Sequence, residues 1–423
     1  MPYYIIRFCL WIMYVCFYRR IYYLNAKSIP PKGTALIFVS NHSNGFMDPI
    51  LIAAMQPRPV YFWVAAGEIP GNFVGKIMTT LHSIPIYRAK EGREQMHKNQ
   101  ETFRVTKDYL YTGWASMWIA PEGRCNVQKR LEPIKKGTAR LAFEMMEEKN
   151  WALELQILPT GVNYTNHVQF RSEVYVNLGK PLKISSYKEQ YLANKEAAIA
   201  TLTKDIEQGI KERMVYIEEE DVELTEEFLP LVRHNYKNPL WPFYSTDAHL
   251  CQGEQQLATA IRTAEELEKA SWAAQLRDYK AALLKEQVED FAVAHKNTRS
   301  LFWVLLGFPF WLLGTLSGWI PHQVASQLRN KLVPFPAFST SFAFTAAFFV
   351  WILWSIIITI VGAFVVGWWA LLWPPIMILL QTFAYHYADY TREWVALFRF
   401  NKKPVATKEA LQTKRKQLPL VGI

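Results

Sequence analysis

The residues best suited to chemistry stand in one short string, FVSNHSNGFMDPI at 38–50. Within it, His42 and Asp48 are six positions apart. On one continuous helix they would lie about 240° apart around the axis and could not meet. If His42 follows a strand and Asp48 begins the next helix, the loop between them can fold back and the two side chains can hydrogen-bond. The alternative is that His42 caps that helix and Asp48 is an ordinary acid of its first turn.

A histidine held by a carboxylate, as His42 would be by Asp48, can activate a hydroxyl group. A hydroxyl attacks poorly until a base removes its proton as the new bond forms. A neutral imidazole suits this task near neutral pH. A carboxylate on its other nitrogen fixes the tautomer and stabilises the imidazolium that develops. Acyl transfer from a thioester to an alcohol therefore needs this pair but no serine or cysteine nucleophile, because the acceptor hydroxyl attacks directly.

Two later strings end in basic residues. In SIPIYRAKEGRE (83–94) an apolar run ends at Arg88, and in MWIAPEGRCNV (117–127) a strand leads into a glycine turn with Arg124 at its lip. Exposed N–H groups and a guanidinium both favour an anion, so this turn is a candidate phosphate receptor. Lys135 and Lys136 follow this turn and could contribute to phosphate binding. The alternative is that both are ordinary surface charges.

These strings resemble, in their order along the chain, the sequence blocks of a known family. A fourth string, ILPTGVNY at 157–164, predicts a buried strand and turn. Together the strings are similar to the blocks of the glycerol-3-phosphate and lysophosphatidic acid acyltransferase superfamily. Those blocks are an Asn-His block ending in Asp-Pro, an apolar block ending in arginine, a Phe-Pro-Glu-Gly block and a late proline-containing strand. The resemblance covers roughly residues 30–185.

The resemblance implies an acyltransferase with a layered α/β domain, a mixed sheet with helices on both faces. His42 would be the base and Asp48 the residue that orients it. The acceptor phosphate would be held by Arg88, Glu122, Gly123, Arg124 and Lys136, with Glu122 also open to a purely structural part in the turn. The acyl donor would be acyl-CoA or acyl carrier protein, and no metal or bound cofactor is implied.

Two departures from the family pattern stand out. Five residues separate His42 from Asp48 where the family commonly has four, and no threonine precedes Arg124. The longer spacing, a helical insert and a C-terminal membrane hairpin are similar to fungal glycerol-3-phosphate acyltransferases and related bacterial proteins. This favours glycerol-3-phosphate as the acceptor. The alternatives are lysophosphatidic acid or another lysolipid, and a membrane adaptor that has lost catalysis.

Composition points to a membrane surface. The chain of 423 residues is 51% hydrophobic and 15% aromatic and carries a formal net charge of +10, which suits an anionic leaflet. No basic stripe with interleaved aromatics predicts nucleic-acid binding. The four cysteines show no CxxC pair, which predicts neither a zinc site nor a disulfide framework and favours a reduced compartment.

The chain divides by pattern into an α/β domain and helical additions. Between 26 and 216, short apolar runs such as ALIFVS (35–40) alternate with helix-like stretches, which predicts the α/β domain. Residues 217–300 place apolar residues at helical spacing among many charges, which predicts a charged helical region. Residues 1–25 are apolar and interrupted by arginines, which favours an interfacial anchoring helix over a single signal anchor.

The C-terminal third predicts membrane insertion. No Asp, Glu, Lys or Arg occurs from Leu332 to Ala388, a stretch long enough to cross a bilayer twice. We expect a transmembrane hairpin at 338–382, with Gly362 or Gly367 at its turn, and a basic cytoplasmic tail at 383–423. Because Pro309 interrupts the apolar segment 301–321, we expect that segment to be re-entrant or interfacial.

Charge predicts the orientation. A two-span hairpin places every basic flank on one face, which the positive-inside rule makes cytoplasmic. We therefore expect an integral membrane protein among membrane lipids. Its active site would lie on the cytoplasmic face of a bacterial inner membrane or of the endoplasmic reticulum.

Overall fold

The computed structural model describes residues 2–69, 71–88, 92–236, 243–295, 299–332, 336–419 and 421–422. The strands are β1 Arg20–Leu24, β2 Ala35–Ser40, β3 Val60–Ala65, β4 Ser83–Ile86, β5 Ser116–Ile119, β6 Leu155–Tyr164, β7 Glu173–Leu178, β8 Leu182–Lys183 and β9 Tyr244–Ser245. The helices up to residue 211 are α1 Pro2–Phe17, α2 Met47–Met55, α3 Phe73–Thr80, α4 Asn99–Tyr111, α5 Gly137–Glu148, α6 Lys188–Ala193 and α7 Lys195–Lys211. The later helices are α8 Val222–Arg233, α9 His249–Thr263, α10 Glu266–Glu286, α11 Asp290–Ala294, α12 Leu301–Leu332, α13 Pro336–Val366, α14 Trp373–Asn401 and α15 Val405–Gln417.

The strands form one mixed sheet in the order β4-β3-β5-β2-β6-β7-β1-β9, with β8 paired to β6. Strand β2 lies between β5 and β6 and is parallel to both, while β6 and β7 are antiparallel. Every residue of β2 and β6 is buried, as is usual for parallel strands covered on both faces. The carboxyl ends of β2, β5 and β6 therefore lie at the same edge of the sheet.

Helices cover both faces of this sheet. Ile37 and Val39 of β2 belong to a buried cluster that includes residues of α5 and α7. The alternate residues of β2 point to the opposite face, and on that side α2 contacts β3. The predicted α/β fold class is confirmed.

The N-terminal segment differs from the expected single helix over 1–25. Helix α1 ends at Phe17, and residues 20–24 form β1, which is parallel to β7 and β9. Arg20 is 4% exposed and donates to the Tyr22 hydroxyl, so it does not reach toward head groups. Isoleucine and tyrosines at 21–23 favour a strand, and pairing with β7 satisfies its backbone groups.

The chain divides into two compact units. One comprises Met1–Tyr216, Tyr244–Asp247 and Phe335–Ser341, and it contains the sheet. The other comprises Ile217–Phe243, Ala248–Pro334 and Phe342–Ile423. The predicted boundary after residue 216 coincides with a boundary between these units.

Residues 383–423 are not a free tail. Helix α14 continues to Asn401, and α15 follows it. Phe400 and Leu411 are buried in a cluster with Val288 and Ala292. Arg415 of α15 also donates to Asp290, at 2.8 Å from Nε to Oδ1. These helices fold into the second unit because their apolar residues repeat at helical spacing.

Helix α12 runs through Pro309 without the expected break, and it also contains Pro321. It packs antiparallel to α14, and a Cβ on Gly314 would lie 2.2 Å from the carbonyl oxygen of Leu380. Apolar helices accept proline where neighbouring helices support the backbone. The interruption expected at Pro309 is therefore wrong, although the segment is apolar and helical as predicted.

Two stretches, Leu301–Leu328 and Phe338–Asn401, are long and apolar enough to cross a membrane, judged by length and composition. Gly367, with φ of +59°, begins a turn between α13 and α14, at one of the two predicted positions. The C-terminal part of the chain therefore has the apolar lengths that a transmembrane hairpin needs. The number of crossings and their orientation remain predictions.

Candidate active site

The loop between β2 and α2 brings His42 and Asp48 together. His42 lies just after β2, and Asp48 is the second residue of α2. The His42 Nδ1 and Asp48 Oδ2 atoms are 2.8 Å apart. The predicted hydrogen bond between the two side chains is therefore present.

Asp48 is fully buried and surrounded by donors. Its Oδ2 also accepts the backbone N–H groups of Ser43 at 2.8 Å and Asn44 at 2.9 Å. Its Oδ1 accepts the hydroxyl of Tyr164 at 2.6 Å. Because an ionised carboxylate only accepts, His42 Nδ1 carries a proton and its Nε2 offers a lone pair. The His42 side chain is 18% exposed and is therefore not sealed in the core.

Neighbouring side chains fix the histidine loop. The Trp118 ring stands edge-on to the imidazole, with centroids 5.3 Å apart. Asn41 forms two 2.8 Å hydrogen bonds with the backbone of Val162 and so joins the loop to β6. The N–H of Phe46 donates to Ser341 Oγ at 3.0 Å, within the same unit. These contacts hold the imidazole before any substrate arrives.

Both carboxylate oxygens of Glu122 accept hydrogen bonds from backbone N–H groups. Its Oε1 accepts the His42 N–H at 2.8 Å, and its Oε2 accepts the Glu132 N–H at 2.9 Å. Burial raises the pKa of Glu122 to about 7, against the lowering effect of these two amides. A buried carboxylate with both oxygens engaged does not recognise phosphate. The structure therefore places Glu122 as the anchor of the turn, which was its alternative role.

A cleft of about 320 Å³ opens beside this turn. It is lined by Glu122, Arg124, Glu132, Pro133 and Lys135. Gly123 has φ of +69°, a conformation that favours glycine, and Lys135 Nζ lies close enough that a Cβ on Gly123 would be 2.5 Å from it.

Two of the expected phosphate ligands do not line this cleft. Lys136 is exposed, immediately precedes α5 and does not line the cleft, whereas Lys135 does. The backbone N–H of Lys135 donates to Pro121 O at 2.9 Å, which directs that residue toward the turn. Arg88 pairs with Glu68 at 3.1 Å and is not among the residues that line this cleft.

Cys125 is close to the loop but is not an activated nucleophile. Its Sγ accepts the Gly45 N–H at 3.3 Å. Burial, and secondly the charge of Asp48, raises the pKa of the Cys125 thiol to about 12. The thiol therefore stays protonated at neutral pH, and thiolates rather than thiols attack carbonyl groups.

Sequence reasoning missed Tyr164, Trp118 and Asn41 as partners of the pair. Tyr164 ends β6, and the predicted strand at 157–164 contains it. Functional residues of parallel sheets collect at the carboxyl ends of the strands. A search of the residues at each predicted strand end would therefore have found Tyr164. In the part of the chain that the structure describes, no group of three or more His, Cys, Asp or Glu residues has the arrangement to hold a metal ion.

A known protein family matches the region of the chain that contains the candidate site. Residues 20–163 match the acyltransferase family. The matched range contains His42, Asp48 and all the expected phosphate ligands. The match supports an acyltransferase.

An uncharacterised acyltransferase of Schizosaccharomyces pombe is 22% identical in a match that covers 44% of this chain and 40% of the relative. The chain thus spans less than half the length of the curated relative it matches. Among solved structures, the 1-acyl-sn-glycerophosphate acyltransferase PlsC of Thermotoga maritima is 15% identical with a TM-score of 0.31. That match covers 46% of this chain and 71% of PlsC, and a likeness this low decides neither the fold nor the acceptor.

Proposed function

We propose that this protein moves a fatty acyl group from a thioester to a hydroxyl of glycerol-3-phosphate, with His42 as base and Asp48 as its orienting partner. One observation carries the proposal. The buried, donor-surrounded Asp48 holds His42 Nδ1 at 2.8 Å and leaves Nε2 as the accepting nitrogen. The acyltransferase family match over residues 20–163 supports the same chemistry.

The reaction follows from that tautomer. The acceptor hydroxyl gives its proton to His42 Nε2 while its oxygen attacks the thioester carbonyl carbon. Asp48 stays ionised and stabilises the imidazolium. When the tetrahedral intermediate collapses, the carbon–sulfur bond breaks and the imidazolium returns the proton to the leaving thiolate. No bond to the protein forms, which agrees with the protonated state of Cys125.

The cleft beside the turn suits the acceptor phosphate. A phosphate monoester carries close to two negative charges, and Arg124 and Lys135 bring two positive ones to its edge. Arg88 pairs with Glu68 and does not line the cleft, so we assign it a smaller part. We favour glycerol-3-phosphate over lysophosphatidic acid by analogy, because the five-residue spacing between His42 and Asp48, the helical insert and the apolar C-terminal helices resemble fungal glycerol-3-phosphate acyltransferases.

The remaining substrates and the location are part of the same proposal. The donor is acyl-CoA or acyl carrier protein, and no bound cofactor is required. The two long apolar stretches, Leu301–Leu328 and Phe338–Asn401, would anchor the enzyme in the bilayer that receives its product. The active site would lie on the cytoplasmic face of a bacterial inner membrane or of the endoplasmic reticulum.

A competition assay tests the acceptor. Full-length protein in detergent is given acyl-CoA together with carbon-13-labelled glycerol-3-phosphate and unlabelled lysophosphatidic acid, and products are identified by mass spectrometry. Labelled lysophosphatidic acid supports the proposal. Unlabelled phosphatidic acid alone would assign the alternative acceptor. Formation of neither product with acyl-CoA or acyl carrier protein would refute the function, and His42→Ala protein provides the background rate.

A further inference from the structure

Glu132 is already paired with Arg124, the basic side chain that the acceptor phosphate would need. Its Oε2 accepts a hydrogen bond from the Arg124 guanidinium. Its Oε1 accepts Asn126 Nδ2 at 2.9 Å. Both Glu132 and Arg124 line the cleft beside the Gly123 turn. The cleft therefore already contains a carboxylate bound to its arginine.

Glu132 does not depend on Arg124 for its position. Its backbone N–H is held by Glu122 Oε2 at 2.9 Å, and its side chain is 14% exposed. Asn126 is fixed in turn, since its N–H donates to the His42 carbonyl at 2.8 Å. Arg124, by contrast, has a side chain that is 66% exposed and has only this carboxylate as a partner among the described residues. The guanidinium therefore has fewer contacts to hold it than the carboxylate has.

A phosphate can take the guanidinium from Glu132. Ion pairs with one largely exposed partner stabilise proteins little, so the exchange costs little. A phosphate monoester has three acceptor oxygens and more charge than a carboxylate. It would also engage Lys135, which has no carboxylate partner within the described residues. Both differences favour phosphate over Glu132.

We propose that Glu132 is a displaceable internal anion that neutralises Arg124 until the acceptor phosphate binds and then yields the guanidinium to it. This rests on the proposed use of the cleft for that phosphate. Glu132 is thus a positioning residue that sets the affinity for the acceptor without touching the reacting atoms. Its carboxylate disfavours the binding of weaker anions, because any anionic ligand must first displace it from the Arg124 guanidinium.

Phosphate binding measured without turnover tests the inference. The probe is inorganic phosphate, and the readout is the shift of the thermal unfolding midpoint of the full-length protein in detergent. Glu132→Gln keeps the size of the side chain and an acceptor for Asn126 but removes the charge. We expect it to bind phosphate about two- to fivefold more tightly, the range that an ion pair of this kind is worth. The acceptor KM should fall by the same factor while the donor KM stays unchanged.

Protein that lacks the arginine provides the matched control. In Arg124→Ala protein, the same change at Glu132 should leave phosphate binding unchanged, because no guanidinium remains to be released. Weaker or unaltered binding by Glu132→Gln in the wild-type background would overturn the inference, as would undetectable binding in every variant. Glu132→Ala replaces the glutamine variant if that protein does not fold.

The same data separate this inference from the proposed function. Normal acyl transfer with unaltered phosphate binding in Glu132→Gln would contradict the inference alone. The expected binding pattern without acyl transfer to any phosphate acceptor would contradict the function alone.

Discussion

The hydroxyl of Tyr164 donates to Asp48 Oδ1 at 2.6 Å, across 116 residues of sequence. The other carboxylate oxygen already accepts His42 and two loop amides. Tyr164 therefore holds the half of Asp48 that the loop does not, and it does so from the end of a central strand. Desolvation by burial, and next the nearby charge of Asp48, raises the pKa of Tyr164 well above its ordinary value, so it remains a donor.

Tyr164→Phe should lower kcat and leave both KM values nearly unchanged. The substitution leaves Asp48 Oδ1 buried without this donor, and an unpaired buried acceptor costs about 1–3 kcal/mol. Part of that cost appears as lost orientation of His42, so we expect kcat to fall about three- to thirtyfold. Steady-state kinetics check it. A change in the acceptor KM alone would show that Tyr164 contacts substrate instead.

His42→Ala should abolish turnover while the protein still folds. A general base contributes about 10²–10⁴-fold to rate. The thermal unfolding midpoint and the detergent extraction profile serve as controls for folding, since the His42 side chain is partly exposed and fills no core position. Activity within a few-fold of the parent would remove His42 from the mechanism.

Adjacent lysines allow a matched comparison at the cleft. Lys135→Ala should raise the acceptor KM by about tenfold or more, because a charge-assisted hydrogen bond to phosphate is lost. Lys136→Ala removes the same charge one position away, outside the cleft, and should change KM by less than about twofold. Equal effects of the two substitutions would mean that only overall charge matters there.

Glu122 should make stability depend on pH. Its folded pKa is raised to about 7 from 4.5, so the folded protein keeps this proton where the unfolded chain has lost it. Stability therefore falls as pH rises between those two values and levels off above them. Glu122→Gln removes this contribution. The unfolding midpoint of the parent minus that of the variant should decrease from about pH 5 to about pH 7. Parallel curves would argue against a titrating Glu122.

We expect the outer face of α1 to lie in the membrane interface. Ile5 and Phe8 on this face are 63% and 60% exposed. Ile5→Ser with Phe8→Ser should reduce activity on long-chain donors more than on short, soluble ones. Leu267→Ser with Leu284→Ser provides the control, since these leucines of α10 are 82% and 81% exposed. Equal loss on both donors would contradict an interfacial role. Deleting residues 1–24 is no substitute, because it removes the buried strand β1.

The sequence predicted what local patterns encode. The strand before His42, the helix beginning near Asp48 and the fold-back between them follow from hydrophobic runs and spacing. The α/β class and the boundary after residue 216 follow from changes in periodicity along the chain. Each depends on residues close together in sequence, where rules for strands, helices and loops apply directly.

What the sequence missed depends on distant partners. Residues 20–24 are apolar and aromatic, and only their pairing with β7 decides between a strand and a longer helix. Lys135 and Lys136 are chemically identical, and the direction of the chain entering α5 decides which one faces the cleft. Pro309 predicts a break by local rules, whereas the close approach of α14 supports a continuous α12.

The position of β1 in the sheet also constrains the order in which the protein is made. Its partner β7 lies about 150 residues later in the chain, and β9 is later still. At about 5–20 residues per second, a ribosome needs roughly 8–30 s to deliver β7 after β1 has been synthesised. During that interval the first strand has no backbone partner in the sheet, and the apolar helix before it has emerged ahead of most of the domain. The nascent chain thus presents the apolar helix α1 and the unpaired strand β1 to membrane and chaperones well before β7 is available.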